Sequence, residues 1–149
     1  MKSKNILKRL FIGLAAVLVL IQLIPVNRTN PPVTAEINAP AEVMHVFQRS
    51  CYDCHSNETN WRWYSYVAPV SWLTAYDVKE GREHLNFSEW GGLEAKKQAK
   101  KTEEIWEEVS EGNMPMKIYV LAHPEVKLSE PEKEALRQWA MAAERGEEE

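Results

Sequence analysis

Cysteine is almost missing from this 149-residue chain, which has only Cys51 and Cys54. A structural zinc site needs four ligands, and neither a second Cys-x-x-Cys nor a His-x-x-x-His pair is present to complete one. His45, His84 and His123 are scattered. No stretch alternates apolar and polar residues well enough for a strand, and no segment repeats, so the expected fold class is all-α. A Ser-His-Asp set or similar substrate-working constellation is also lacking. Basic residues are scarce beyond the N-terminus: five of the 18 lie in the first 28 positions, where no acidic residue occurs, leaving 13 against 22 acidic ones. The remaining chain is therefore at −9, which argues against nucleic acid as a partner.

What is present begins with an export-type segment. Lys2, Lys4, Lys8 and Arg9 precede an uncharged apolar run from Leu10 to Val26, the layout of a basic n-region and a hydrophobic stretch. The run is at the short edge of the roughly 17–25 residues that cross a bilayer and exceeds the ~7–15 of a cleaved signal. No Ala-x-Ala site follows it, so residues 1–26 are expected to be a retained anchor, with a cleaved signal as the alternative. With the basic residues before the span, the rest should lie on the extracytoplasmic side, with the membrane as one partner. Residues 27–39, rich in Asn, Pro and Thr, read as a linker holding the domain off the membrane. A domain over 40–144 and an acidic tail over 145–149 follow.

Helical spacing within the domain is clear in four places. Val43, Val46 and Phe47 mark a helix ending before Cys51, and Pro69 opens a short helix expected to bury Trp72, Leu73 and Tyr76 and to stop at Gly81. Thr102, Ile105, Trp106 and Val109 form a stripe closed by Gly112. Ser129 and Glu132 make a capping-box pattern for a helix from about Glu130 to Ala143, with Ala135, Leu136 and Trp139 on its buried face. Long loops are expected around the cysteines and across "NMPMKIYVLAHPEVK". Asn86 and Ser88 read as loop and cap residues.

Both cysteines fall in "CYDCH", with His55 directly behind the second. A thioredoxin-like redox pair would cap a helix after a strand in a βαβ unit, and the pattern contains no such unit. Covalent haem accounts for all three residues: Cys51 and Cys54 as thioethers to the two vinyl groups, and His55 as iron ligand. Export fits, since haem of this type is attached outside the cytoplasm. Three residues of one loop compete for the other axial position: Met114, Met116 and His123. Gly112 and Asn113 turn the chain just ahead of Met114, and Pro115 stiffens it there, so Met114 is the expected ligand and Met116 the first alternative. Trp61, Trp63, Tyr64 and Tyr66 either wall the haem or merely pack a loop. His84 is a distal candidate set against an exposed helix-end role, and His45 is expected to have a surface or packing role.

"SCYDCHSNETNWRWYSYVAPVSWL", "DVKEGREHLNFSEW" and "NMPMKIYVLAHPEVKLSEPEKEALRQWA" together resemble the bacterial family of small haem-binding domain proteins, anchored and c-type cytochrome-like, over about residues 40–142. The resemblance implies a variant of the class I cytochrome c fold. In that fold a helix precedes the haem motif, a Met-Pro loop matches Met114-Pro115, and a C-terminal helix crosses the first. By the same analogy a carbonyl near Pro69 is expected to accept the free N–H of His55. The function implied is that of a monohaem electron carrier with one haem c, on the periplasmic side of a bacterial inner membrane, serving redox partner proteins. A haem-based sensor or small-ligand binder and a peroxidase-like enzyme are the alternatives.

Overall fold

The computed structural model describes residues 2–147. Helix α1 covers Lys2–Leu20 and tightens into a 3₁₀ turn over Ile21–Leu23. It is exposed from Lys4 to Leu20, and its apolar window Lys4–Leu23, of mean hydropathy 2.2, is long and apolar enough to cross a membrane. An extended segment leads to α2, Ala41–Ser50, and then, through Cys51, to the single turn α3, Tyr52–His55. Next come a 3₁₀ turn at Trp63–Tyr66, α4 over Val70–His84, and another 3₁₀ turn at Phe87–Gly92. Helix α5, Ala95–Ser110, is followed by the short α6, Lys117–Ala122, a turn at Pro124–Val126, and α7, Glu130–Glu147. No strand occurs among the described residues.

The amphipathic helices behave as their spacing requires. Val43, Val46 and Phe47 of α2 are buried, and so are Thr102, Ile105 and Val109 of α5 and Leu136 and Ala140 of α7. Helix α7 packs on both α5 and α2, and Phe87 and Trp90 fill the space between them. Phe47 stacks on Phe87 with ring centroids 4.5 Å apart and meets Trp139 edge-on at 5.3 Å. Half of the box at the start of α7 is formed: Glu132 Oε2 accepts from the backbone N–H of Ser129 at 2.8 Å, and the Ser129 hydroxyl donates to the same oxygen, also at 2.8 Å. Glu132 also receives Arg49 Nη1 at 2.6 Å, which ties the helix before the cysteines to the start of the last one. Helix α7 runs past Ala143 to Glu147, so part of the expected tail is helical, and residues 148–149 lie outside the described residues.

Three expectations fail for identifiable reasons. Trp72, Leu73 and Tyr76 of α4 are exposed, and its inward face is Ser71, Val78 and Gly81. Small residues are needed there because α4 lies directly on the segment that carries both cysteines: a Cβ at Gly81 would come within 2.6 Å of the Cys54 carbonyl oxygen. Gly81 therefore permits a close approach and does not stop the helix, which continues to His84. The segment expected to be a linker is a strap bound to the domain. The N–H groups of Thr34 and Ala35 donate to Ser88 O, Ile37 N–H donates to Phe87 O at 2.8 Å, and the Ile37 side chain is in the core. Its Asn, Pro and Thr residues suit extended backbone whose hydrogen bonds go to a neighbouring loop, a use that composition does not distinguish from a free tether. Finally, α6 forms inside the expected loop, without a buried residue to mark it.

Candidate functional site

Cys51, Cys54 and His55 are brought to one wall of a cavity of about 560 Å³. α4 supplies Tyr76, Asp77, Gly81 and His84, α5 supplies Ile105 and Val109, and Phe87 closes the inner end. Met114, Pro115, Met116 and Tyr119 line the cavity from the segment after α5. Gly112 makes that placement possible. Its φ of +74° and its N–H bond to Val109 O end α5, and Met114 N–H returns to Glu108 O at 3.0 Å. Both methionines reach the cavity wall, and only Met114 also packs against the core.

The imidazole of His55 is held in a defined state. Its Nδ1 lies 2.9 Å from Gly81 O and 3.2 Å from Leu85 O. Both neighbours are carbonyls, which only accept, so Nδ1 carries the proton and donates it. Nε2, across the ring, keeps its lone pair. Burial lowers the His55 pKa despite the pull of the two carbonyls, which favours this neutral, ligating form. The acceptors are at the C-terminal end of α4, not near Pro69 as the analogy suggested. Gly81 O already accepts the N–H of Leu85 and takes His55 on its second lone pair, Leu85 O lies just past the last helical residue, and the close approach allowed by Gly81 puts both within reach.

The two thiols are free and half-buried on the cavity wall, and burial pushes each up to about 12. Neither is arranged as a low-pKa redox pair, which needs an electropositive setting. Among the described residues no group of three or more His, Cys, Asp and Glu side chains is placed to hold a metal ion. His45 is exposed on α2, and His123 is buried away from the cavity, 2.6 Å from the Tyr64 hydroxyl and 3.2 Å from Glu125. His84 is exposed and touches the cavity edge.

The aromatic run does not wall the cavity. Trp61 donates to Asn30 Oδ1, Tyr64 meets His123, and Trp63 and Tyr66 face outward. The aromatic residues that do line it are Phe87, Tyr76 and Tyr119, the last donating to Asp53 Oδ2 at 2.6 Å. Tyr119 sits one turn after the Met-Pro pair, and that proximity is the one signal in the sequence that pointed to it. At the mouth stand Asp77, Glu80, Glu104, Glu107 and Glu108, with Lys101 held by Glu104 at 2.6 Å. Burial raises the Asp77 carboxyl above its ordinary range.

An all-helical domain with this cavity fits a haem. Its volume is that of a small-molecule pocket, two unpaired thiols stand on one wall, and the adjacent imidazole is fixed in its ligating tautomer. The haem-binding domain family matches residues 16–142, and the chain belongs to that family. The match takes in the end of α1 and the whole strap, well ahead of residue 40 where the resemblance begins. No curated protein and no solved structure matches the chain.

Proposed function

We propose that the chain is a monohaem c-type electron carrier, anchored by α1, with its domain on the periplasmic side of a bacterial inner membrane. The observation that carries this reading is the hydrogen bonding of His55, whose proton is committed to Gly81 and Leu85 on the cavity wall that also bears both cysteines. When bound, the haem iron supplies reversible one-electron chemistry. Cys51 and Cys54 would hold the group through thioethers to its two vinyl groups. His55 would offer Nε2 to the iron and Met114 its thioether, with Met116 as the nearest competitor. Phe87, Ile105 and Val109 keep water from the inner end of the cavity. The carboxylates at the mouth favour a redox partner with a basic surface, through long-range attraction that salt screens.

Expression of the full chain with a haem-attachment system tests this reading. Haem staining that survives denaturation is expected in the parent and should vanish in the Cys51→Ala, Cys54→Ala double variant. Met114→Ala should remove the near-infrared sulfur-to-iron band, lower the reduction potential and admit carbon monoxide, while Met116→Ala should keep all three as in the parent. Retention of the band in the Met114 variant transfers the role to Met116. Rapid carbon monoxide binding by the reduced parent would favour a sensor or a peroxidase-like enzyme over a carrier.

A further inference from the structure

The last turn of the anchor is bonded to the domain. Gln22 Nε2 donates to Ala68 O at 3.1 Å, and Ala68 N–H donates to Gln22 Oε1 at 2.9 Å. A few residues on, Arg28 Nη1 donates to Ser65 O, and the guanidinium lies over the Tyr66 ring, 4.5 Å from its centroid. The strap continues the attachment: Arg82 donates to Thr29 O and Asn30 Oδ1, both at 2.9 Å. The domain thus has no free tether on which to swing.

The surface at this junction is unlike the rest of the domain. From Trp63 to Tyr76 no side chain is charged, in a chain that is 27% charged and acidic beyond the anchor. Trp63 is 77% exposed, Tyr66 58%, Val70 43% and Leu73 52%. Exposed apolar residues gathered in one place mark a contact surface. Tryptophan and tyrosine with a cationic neighbour are the residues that settle at the headgroup level of a bilayer. The occupant follows from position: Ala68 is hydrogen-bonded to the end of a membrane-length helix, so the loop around it stands at the depth where that helix leaves the hydrocarbon. Both polar groups of the Ala68 backbone are already paired with Gln22, which lowers the cost of bringing the loop there.

We propose that the loop from Trp63 to Val70 and the outer face of the first turns of α4 rest on the membrane that α1 enters, fixing the domain in one orientation. The inference rests on the anchored reading of α1. With Ala68 at the interface, α4 begins at the membrane surface and carries Tyr76, Asp77 and Gly81 of the cavity within its next turns. The mouth residues Asp77 and Glu80 lie about 10–15 Å along α4 from Val70, at 1.5 Å per residue.

The test uses the full-length holoprotein in phosphatidylcholine/phosphatidylglycerol vesicles at low protein density. Single cysteines are introduced by Tyr66→Cys, Val70→Cys, Val17→Cys on the anchor and Glu103→Cys on the exposed face of α5, and each is nitroxide-labelled. With Cys51 and Cys54 taken up as thioethers, the added thiol is the one that reacts. Collisions with oxygen, which enters lipid, are compared with collisions with a water-soluble nickel chelate. The labels at 66 and 70 should show a several-fold loss of chelate collisions relative to the label at 103, and Gln22→Ala should return part of that access. Labels at 66 and 70 that are as open to the chelate as the one at 103, with the label at 17 still in lipid, would overturn the docking and leave the anchor standing. An aqueous label at 17 would overturn the anchor and the docking with it. Shielding that grows with protein density would assign the surface to a second copy of the chain and sink the membrane reading.

Discussion

The two flanks of the haem motif are held by different physics. On the α2, α5 and α7 side, Phe47, Phe87, Trp90 and Trp139 form a continuous aromatic core. On the α4 side the contacts are polar. Arg82 alone donates to Ser56 O, Thr29 O, Asn30 Oδ1 and Thr59 Oγ1, and Asn57 is bound through Ser88, Asn86 and Pro32. The flanks meet at adjacent residues: Phe87 stacks in the first, while Ser88 accepts the Asn57 N–H at 2.9 Å in the second. Apolar burial is non-directional and supplies stability, whereas hydrogen bonds fix position. The imidazole of His55 belongs to the positioned flank.

Substitutions separate these roles. The largest effect is expected for Phe47→Ala, which should cost about 3–5 kcal/mol in denaturant unfolding and leave the spectrum of the folded holoprotein unchanged. An altered spectrum would show that the core also sets the ligand geometry. Gly81→Ala follows, at about 1–3 kcal/mol, because its Cβ meets the Cys54 carbonyl. It should also loosen the His55 hydrogen bond, make the imidazole a weaker donor and raise the reduction potential. An unmoved potential would mean that Leu85 O alone suffices to hold the ring.

Arg82→Ala should cost about 1–2 kcal/mol and expose the strap to proteolysis between residues 27 and 37. Arg82→Lys should not rescue it, since an ammonium cannot replace four divergent contacts. A strap that stays protected in Arg82→Ala would show that Ile37 in the core is sufficient. The smallest effect belongs to Glu132, held at about 2 chiefly by its hydrogen bond from Arg49. A depressed carboxyl stabilises above its unfolded pKa, so this contribution should be complete above about pH 4.5 and be lost as the pH falls towards 2. The pair is about a quarter exposed, so screening limits it to about 1 kcal/mol. In Arg49→Gln that part of the acid limb should flatten.

The same division explains which features were legible from sequence. Helices α2, α5 and α7 bury stripes of large apolar residues, and a 3.6-residue period reports that directly. "CYDCH" stood out because both cysteines and a histidine occur within five residues, and the structure brings Cys51, Cys54 and His55 to one cavity. Helix α4 was misread because its inward face is chosen for smallness, and Trp72, Leu73 and Tyr76 look like a core only until Gly81 is seen against Cys54. The His55 acceptors were misplaced because which carbonyls face a side chain depends on how two helices cross, and crossing has no local signature. The strap was taken for a linker because extended backbone paired to Phe87 and Ser88 has the composition of a chain paired to water.

The bond between Arg49 and Glu132 joins residues 83 apart, and Phe47 beside it packs on Trp139. The first helix of the domain and the last therefore complete each other, and neither has a finished core without its partner. Synthesis from the N-terminus delivers α2 and the two cysteines well before α7. Non-local closure of this kind waits on the whole polypeptide. Throughout that interval the motif stands on an open half-core, and its accessibility is set by the progress of synthesis.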